Sequence, residues 1–188
     1  MSSDAGSSQR CAGAAACALF ATMLAAQTPP KVEASAPTDA EAAALAFPGS
    51  VVKEETTTLS AEQQQKAKDA AKVDTVPEKV VRYVATKDGK VVGHAYVDRH
   101  TVRTHAQKLL IVVDADGKVQ RIEILAFDEP RQYRPRAAFY AQFQGKGLDD
   151  EMQPRRGIQP VAGATLTVRA TVDAVRRVLA IHAQLGAK

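Results

Sequence analysis

Two consecutive hairpin patterns constrain the fold of this chain more than any other feature of its sequence. An Asp-Gly pair stands between two β-rich runs at Asp88-Gly89 and again at Asp116-Gly117. Such pairs favour tight hairpins, because Asp and Gly tolerate the positive φ angles that these turns require. The four β-rich runs are 79–85, 90–97, 109–114 and 118–125. Two hairpins in succession predict an antiparallel sheet, which we expect to be twisted.

An apolar stripe near the end of the chain predicts the helix that covers this sheet. Val168, Val172, Val175 and Leu179 recur at the spacing of one face of an α-helix of about 16 residues. Ile122, Ile124 and Ala126 fall on one face of the last strand and Arg121 and Glu123 on the other, so we expect only one face of the sheet to be fully covered. The sequence therefore predicts an α+β fold, a twisted antiparallel sheet of two hairpins covered by a C-terminal helix.

The residues that open this helix suit an anion. The first N–H groups of a helix have no backbone partners and carry partial positive charge, which favours a phosphate group there. Gly163 permits close approach to the backbone, and Ala164 adds no bulk. Thr165 and Thr167 supply hydroxyls that either cap the helix or meet a ligand.

The run Gly163-Ala164-Thr165-Leu166-Thr167 before a helix resembles the signature of the FMN-binding domain family. That family includes the C subunit of the sodium-pumping NADH:quinone oxidoreductase, the G subunit of the Rnf complex and NosR-type regulators. Its pattern is approximately Asp-x-x-Ser/Thr-Gly-Ala-Thr-x-Thr/Ser, and a flavin transferase esterifies the Thr after Gly-Ala to the phosphate of FMN. The resemblance implies FMN as the cofactor and Thr165 as its attachment residue, with the backbone N–H groups of Leu166 and Thr167 assisting.

Two positions of this chain depart from the family's pattern. Gln159 stands where the family usually has Asp, and Ala162 stands where it has Ser or Thr. These positions bear on recognition by the transferase, so covalent and non-covalent binding of FMN both remain open. Ala162 belongs to the expected binding segment in either case.

Aromatic residues gather between the second hairpin and the predicted phosphate site. Tyr133, Phe139, Tyr140 and Phe143 fall within one short stretch, and Pro135 is well placed to open a short helix. These rings form either a small aromatic core or the border of a flavin ring. The resemblance extends to the order of elements in this stretch, and it implies Tyr133 and Phe143 beside the isoalloxazine.

Arginine side chains are the expected partners of negative charge on a reduced flavin. The candidates are Arg131, Arg155 and Arg156, among which the sequence does not choose. Arg156 is included in the predicted site. The predicted cofactor-binding set is therefore Ala162, Gly163, Ala164, Thr165, Leu166, Thr167, Tyr133, Phe143 and Arg156.

Composition excludes several classes of function. The net charge is +4, with acidic and basic residues interspersed and no long basic run, so we expect no nucleic-acid partner. Cys11 and Cys17 both precede the predicted domain, which excludes disulfides, thiolate metal sites and cysteine nucleophiles from it. His94, Asp98, His100 and His105 could be combined as metal ligands, but we expect the strand and the following loop to separate them.

The N-terminal region predicts that the protein is exported from the cytoplasm. Arg10 precedes an uncharged run that ends at Ala26, so residues 1–26 are expected to be a signal peptide or a membrane anchor. Residues 27–46 are expected to be a disordered tether, because they are rich in Pro, Ala and polar residues. We assign 47–75 to an extended piece and a buttressing helix, and 76–188 to the FMN-binding domain.

These inferences combine into one hypothesis and one alternative. The first is an exported redox carrier, periplasmic or on the outer face of the inner membrane, rather than a stand-alone enzyme. It would hold FMN, attached through the phosphate to a threonine, and exchange electrons with membrane or periplasmic redox proteins after loading by a flavin transferase. The alternative is a flavin-free envelope module of the same fold that binds a protein or senses a small ligand.

Overall fold

The fold is α+β, as the sequence predicts. The computed structural model describes residues 36–149 and 151–186, and the predicted signal or anchor at 1–26 lies outside them. The helices are α1 (Asp39–Ala46), α2 (Ala61–Ala71), α3 (Ala137–Ala141) and α4 (Thr165–Leu185), and a 3-10 turn spans Arg131–Tyr133. The strands are β1 (Val51–Thr58), β2 (Lys79–Lys87), β3 (Lys90–Val102), β4 (His105–Asp114) and β5 (Val119–Phe127).

The five strands form one antiparallel sheet in the order β1-β2-β3-β4-β5. The two predicted hairpins are β2–β3 and β4–β5, and Gly89 and Gly117 at their turns have φ angles of 75° and 76°. Glycine reaches this backbone region without strain, which explains its place in both turns. The extended piece expected after residue 47 is β1, an edge strand that pairs with β2 from Val51↔Thr86 to Thr58↔Lys79.

Helix α4 covers one face of the sheet with the predicted apolar stripe. Val168, Val172, Val175 and Leu179 are all buried, in one core with residues of β3 and β4 such as Leu109. At 21 residues α4 is longer than the apolar stripe alone indicates. Helix α2 packs beside α4 and begins with a capping box of Ser60 and Gln63.

Helix α1 corrects the expected extent of the tether. Residues 39–46 were expected to belong to a tether but form this helix, which buries Ala42, Ala43 and Ala46 against the other face of the sheet. Both faces of the sheet are therefore covered, at least in part. The physical reason is packing, because alanines and the ring of Phe47 can approach a face built from small residues such as Ala85 and Gly93. None of the helices in 36–149 and 151–186 combines the length and apolarity required to cross a membrane.

The contact between Phe47 and Gly93 gives a first testable prediction. A Cβ added at Gly93 would lie 2.8 Å from Phe47 Cε1 and 2.7 Å from the carbonyl oxygen of Val113, so α1 or the sheet must shift. We expect Gly93→Ala to lower the free energy of unfolding by about 2 kcal/mol, measured by urea denaturation. Gly147→Ala is the control, because a Cβ there meets nothing within 4 Å. Equal stability of the two variants would contradict the packing of α1.

Candidate functional site

The start of α4 is exposed and lacks a side-chain cap. Gly163 turns the chain into the helix with a φ of 78°, and Ala164 occupies the cap position with no side-chain hydrogen bond. Neither threonine side chain therefore caps α4, although capping was the purely structural explanation for their position. The first turn of α4 presents N–H groups that have no partner within the helix, and these can meet an anion.

The two threonines of the segment have different environments. Thr165 is exposed at the first position of α4. Thr167 is 1% exposed, and its hydroxyl donates a 2.9 Å hydrogen bond to the carbonyl oxygen of Tyr133. Thr167 thereby fixes the 3-10 turn to α4, whereas the hydroxyl of Thr165 is accessible for chemistry.

A narrow crevice lies on one side of the α4 start. Gly163, Ala164, Leu166, Thr167 and Tyr133, five of the predicted site residues, line it together with Val102, Arg103 and Glu129. The guanidinium carbon of Arg103 lies 4.8 Å from the ring centre of Tyr133 and fills the space beside it. The remaining volume is about 10 Å³, roughly that of one water molecule. In this conformation the crevice excludes a flavin ring.

A wide cleft of about 540 Å³ lies on the other side of the same helix start. Ala162, Ala164 and Val161 form one wall, and Phe139 and Ala138 of α3 form the other. Pockets that hold cofactors and other small molecules commonly measure about 300 to 1,000 Å³. The wide cleft therefore has room for a three-ring heterocycle next to the N-terminus of α4.

Positive charge borders the wide cleft. Arg134 and Arg136 line it on either side of Pro135. Among the ion pairs of the described ranges, none involves either arginine. The sequence expectation for this role was Arg156, which is exposed on the turn at 155–157 and does not line the wide cleft or the crevice. The Arg-Pro-Arg pattern was the missed signal, since a proline that precedes a helix fixes the residues on both sides of it.

Negative charge lies at the crevice instead. The carboxylate of Glu129 accepts 3.1 Å hydrogen bonds from the backbone N–H groups of Thr104 and His105. The hydrogen bond from Thr104 is the main cause that holds the pKa of Glu129 below its ordinary value. An anionic ligand is therefore better placed in the wide cleft, whose lining includes two arginines and no acidic residue.

A paired hydrogen bond holds the wide cleft in shape. The side chain of Gln142 accepts a 2.7 Å hydrogen bond from the N–H of Gln159 and donates a 3.4 Å bond to its carbonyl oxygen. This pair ties α3 to the loop that enters α4. Both glutamines also line the wide cleft. The departure from the family's pattern at Gln159 thus lies directly at the candidate site.

The aromatic residues divide between core and site. Phe143 is fully buried, its ring centre 5.5 Å from that of Phe139 in an edge-to-face contact. Phe143 therefore belongs to the aromatic core and cannot border a ligand in this conformation. Phe139 lines the wide cleft, and Tyr133 is half-buried at the crevice.

The residues weighed as metal ligands are dispersed. His100 lies 2.8 Å from Asp98, whereas the ring of His94 faces His182 at 4.8 Å between centres. His105 is half-exposed beside Glu129. Across the part of the chain that the structure describes, no group of three or more His, Cys, Asp or Glu side chains could hold a metal ion.

One comparison with known proteins returns a match. Residues 105–180 match the family model described as FMN-binding domain. The matched range runs from the start of β4 into α4 and includes Thr165, Tyr133 and both walls of the wide cleft. Comparison with curated proteins finds no match.

Proposed function

From the match of residues 105–180 to the FMN-binding domain family we propose an exported electron-transfer flavoprotein whose cofactor is FMN, bonded through its phosphate to Thr165. The observation that carries the proposal is the uncapped start of α4, with an exposed threonine, directly beside a cleft of flavin size. FMN, when bound, supplies one- and two-electron transfer.

The phosphate fits the first turn of α4 for two reasons. The helix N-terminus carries partial positive charge, and its N–H groups can donate to phosphate oxygens. The hydroxyl of Thr165 is exposed at that point, so a transferase could reach it, while that of Thr167 is buried and already bonded. These contrasts support Thr165 as the attachment residue.

The ring system fits the wide cleft. Apolar contact would come from Ala162, Val161 and Phe139, and the adjacent arginines would stabilise negative charge on the reduced ring. Gln142 and Gln159 offer amide groups at the border of the cleft that can hydrogen-bond the polar edge of the ring. These residues would position the cofactor and set its electrostatic environment.

The cellular setting completes the proposal. The uncharged run after Arg10 supports export to the periplasm or the outer face of the inner membrane, by signal peptide or anchor. There the domain would receive FMN from a flavin transferase. It would then exchange electrons with membrane or periplasmic redox proteins.

The test is covalent flavin on protein that has been exported from cells containing a flavin transferase. We expect in-gel flavin fluorescence after denaturation and a mass increase that corresponds to one esterified FMN. Thr165→Ala should abolish both signals, and Thr165→Ser should restore them in part, because serine retains the hydroxyl.

Thr167→Ala is the matched control. It should keep the covalent flavin while losing about 1 kcal/mol of stability with the hydrogen bond to Tyr133. Flavin that persists in Thr165→Ala but disappears in Thr167→Ala would contradict the assignment. A colourless wild-type protein would favour the flavin-free envelope module.

A further inference from the structure

A second cleft lies along the outer edge of β5, on the other side of α3 from the wide cleft. This edge cleft has a volume of about 650 Å³, and the consecutive residues 120–124 of β5 line it together with Ala137 and Ala141 of α3. Side chains of consecutive strand residues point to opposite faces of a sheet. A cleft that all of these residues line therefore runs along the edge of the strand and not over one face of the sheet.

The outer edge of β5 offers main-chain groups for pairing. Because β5 is the last strand of the sheet, β4 pairs with it on one side only. On the other side Val119 accepts a 2.8 Å hydrogen bond from the N–H of Gly145 and donates a 2.9 Å bond to the carbonyl oxygen of Lys146. Across the ranges that the structure describes, no further backbone hydrogen bond reaches residues 120–124 from that side. A strand edge of this kind pairs readily with another extended chain.

The apolar side chains at this edge are incompletely covered. Ile122 and Ile124 pack against the main core but remain partly exposed, whereas the β4 residues paired with them are fully buried. Ala137 and Ala141, four residues apart and so on one face of α3, line the same cleft and are too small to cover them. An extended peptide that adds to an edge strand binds through its main chain and places alternate side chains in such an apolar groove.

The charge of the edge cleft indicates which extended chains it would accept. Its lining carries three arginines, Arg121, Arg134 and Arg136, against one acidic residue, Glu123. Glu123 is already paired with Arg121 at 2.9 Å, so the positive charge of the other two arginines is uncompensated. Guanidinium groups bind carboxylates through charge-assisted hydrogen bonds, which favours an acidic segment. The same surplus disfavours a second copy of this chain, because its own edge cleft would present like charges.

We propose that the edge cleft binds an extended, acidic segment of a partner protein, which adds to the sheet as a strand beside β5. The main chain of the segment pairs with residues 120–124, a stretch about 17 Å long. Its apolar side chains meet Ile122 and Ile124 between β5 and α3, and its carboxylates meet Arg134 and Arg136. The interaction requires no flavin, because the wide cleft lies on the other side of α3.

The first experiment titrates flavin-free, full-length protein with fluorescein-labelled peptides and measures fluorescence anisotropy. The probe is a short peptide that alternates valine with glutamate. One control peptide has lysine in place of glutamate, and another carries N-methyl groups on its central amides, which prevents strand pairing. We expect each control peptide to bind at least about tenfold more weakly than the probe. The affinity for the probe should also fall as the salt concentration rises.

Variants of the protein locate the binding site. Ala137→Trp and Ala141→Trp fill the edge cleft, and each should weaken probe binding by at least about tenfold. Testing both guards against a fold defect in one of them. Ala138→Trp, the same change at an exposed position that lines the wide cleft, should leave the affinity within about twofold. Arg136→Glu should weaken binding, whereas Arg169→Glu, at an exposed position of α4, controls for the change in net charge.

Hydrogen exchange measured by mass spectrometry identifies the strand that pairs with the probe. Saturating probe should slow amide exchange in residues 120–124 and leave β1, the opposite edge of the sheet, unchanged. Strand β1 is the matched comparison, because its exposed Glu54 and Glu55 would repel an acidic peptide.

The outcomes decide between this proposal and other uses of the edge. Equal affinity for the glutamate and lysine peptides would overturn it, as would equal losses in Ala137→Trp and Ala138→Trp or protection of β1 in place of β5. Self-association of the protein that Ala137→Trp abolishes, without binding of the probe, would assign the edge to a second copy of the chain and overturn it too. None of these results depends on Thr165 or on flavin, so the proposed function is tested separately.

Discussion

Replacing Arg176 with methionine is expected to lower the free energy of unfolding by about 3 to 5 kcal/mol. Arg176 lies on α4, is only 3% exposed, and its guanidinium donates to four backbone carbonyls. The acceptors are the carbonyl oxygens of Ala71 at 2.7 Å, Asp149 at 2.6 Å, Met152 at 3.2 Å and Ala70 at 3.2 Å. A single side chain therefore joins α2 and the loop before α4 to the main helix.

The expected loss of stability is large because the backbone carbonyls would lose the hydrogen bonds that Arg176 donates to them. Ala70 and Ala71 are the last residues of α2, where carbonyl groups have no partner within the helix and the helix dipole is negative. A buried acceptor left without a donor costs about 1 to 3 kcal/mol, part of which water and the apolar methionine would offset. The free energy of unfolding of a folded domain is about 5 to 15 kcal/mol, so the loss would be a large fraction of the total stability.

Urea denaturation of the wild type and three variants tests this expectation. Arg176→Lys should fall between the wild type and Arg176→Met, because an ammonium group keeps the charge but cannot reach all the carbonyls. Arg169→Met, on an exposed position of the same helix, should stay within about 0.5 kcal/mol of the wild type. An Arg176→Met protein within about 1 kcal/mol of the wild type would show that water replaces the guanidinium without cost.

Arg176 also shows why sequence reasoning reached the elements but not all of their contacts. The hairpins and the stripe of Val168, Val172 and Val175 are local patterns, and turn chemistry and helical spacing predict them directly. Arg176 directly follows Val175 and carries a charge, so periodicity alone places it outside the core. Its burial depends on where α2 ends in space, which no local spacing encodes.

The same distinction explains the remaining differences. Helix α1 was missed because an alanine-rich stretch has the composition of a tether, and its stability depends on a distant surface of small residues around Gly93. At the site, Gly163 and Thr165 were predictable because they adjoin a helix start. Arg134 and Phe143 were not, since the direction in which each side chain points depends on how α3 packs against the sheet.

Acidification is expected to destabilise the protein by about 3 kcal/mol between about pH 6.5 and about pH 4, through one buried histidine. His182 lies in the last turn of α4 and is 5% exposed. Burial, the neighbouring His94 and then Arg82 lower its pKa from 6.5 to about 4, while Asp114 opposes the shift. The folded state therefore favours neutral His182.

A hydrogen bond from Tyr96 explains the structural role of the neutral form. The Tyr96 hydroxyl lies 2.9 Å from Nδ1 of His182, and burial raises the pKa of Tyr96 to about 12. The hydroxyl thus remains protonated and can donate to Nδ1 of neutral His182, which accepts only while Nδ1 is unprotonated. Because the folded pKa is depressed, the stabilisation is complete above the unfolded pKa of 6.5 and disappears as the pH falls towards about 4.

The pH window separates His182 from the buried carboxylate of Asp98. Burial raises the pKa of Asp98, but hydrogen bonds from His100 and Arg177 outweigh it and leave the pKa lowered, so its contribution is lost only at more acidic pH. Stability measured by urea denaturation at several pH values should therefore decline before Asp98 titrates. His182→Phe should lose about 1 kcal/mol at neutral pH, where Tyr96 loses its acceptor, yet show a nearly flat profile down to about pH 4.5.

His105→Gln is the matched control for this profile. The side chain of His105 is half-exposed, so its replacement should leave the acid decline in place. A decline that persists unchanged in His182→Phe would mean that protonated His182 is tolerated, with the end of α4 rearranged to expose it. A decline that is lost in His182→Phe and retained in His105→Gln would assign it to the buried contact between α4 and β3.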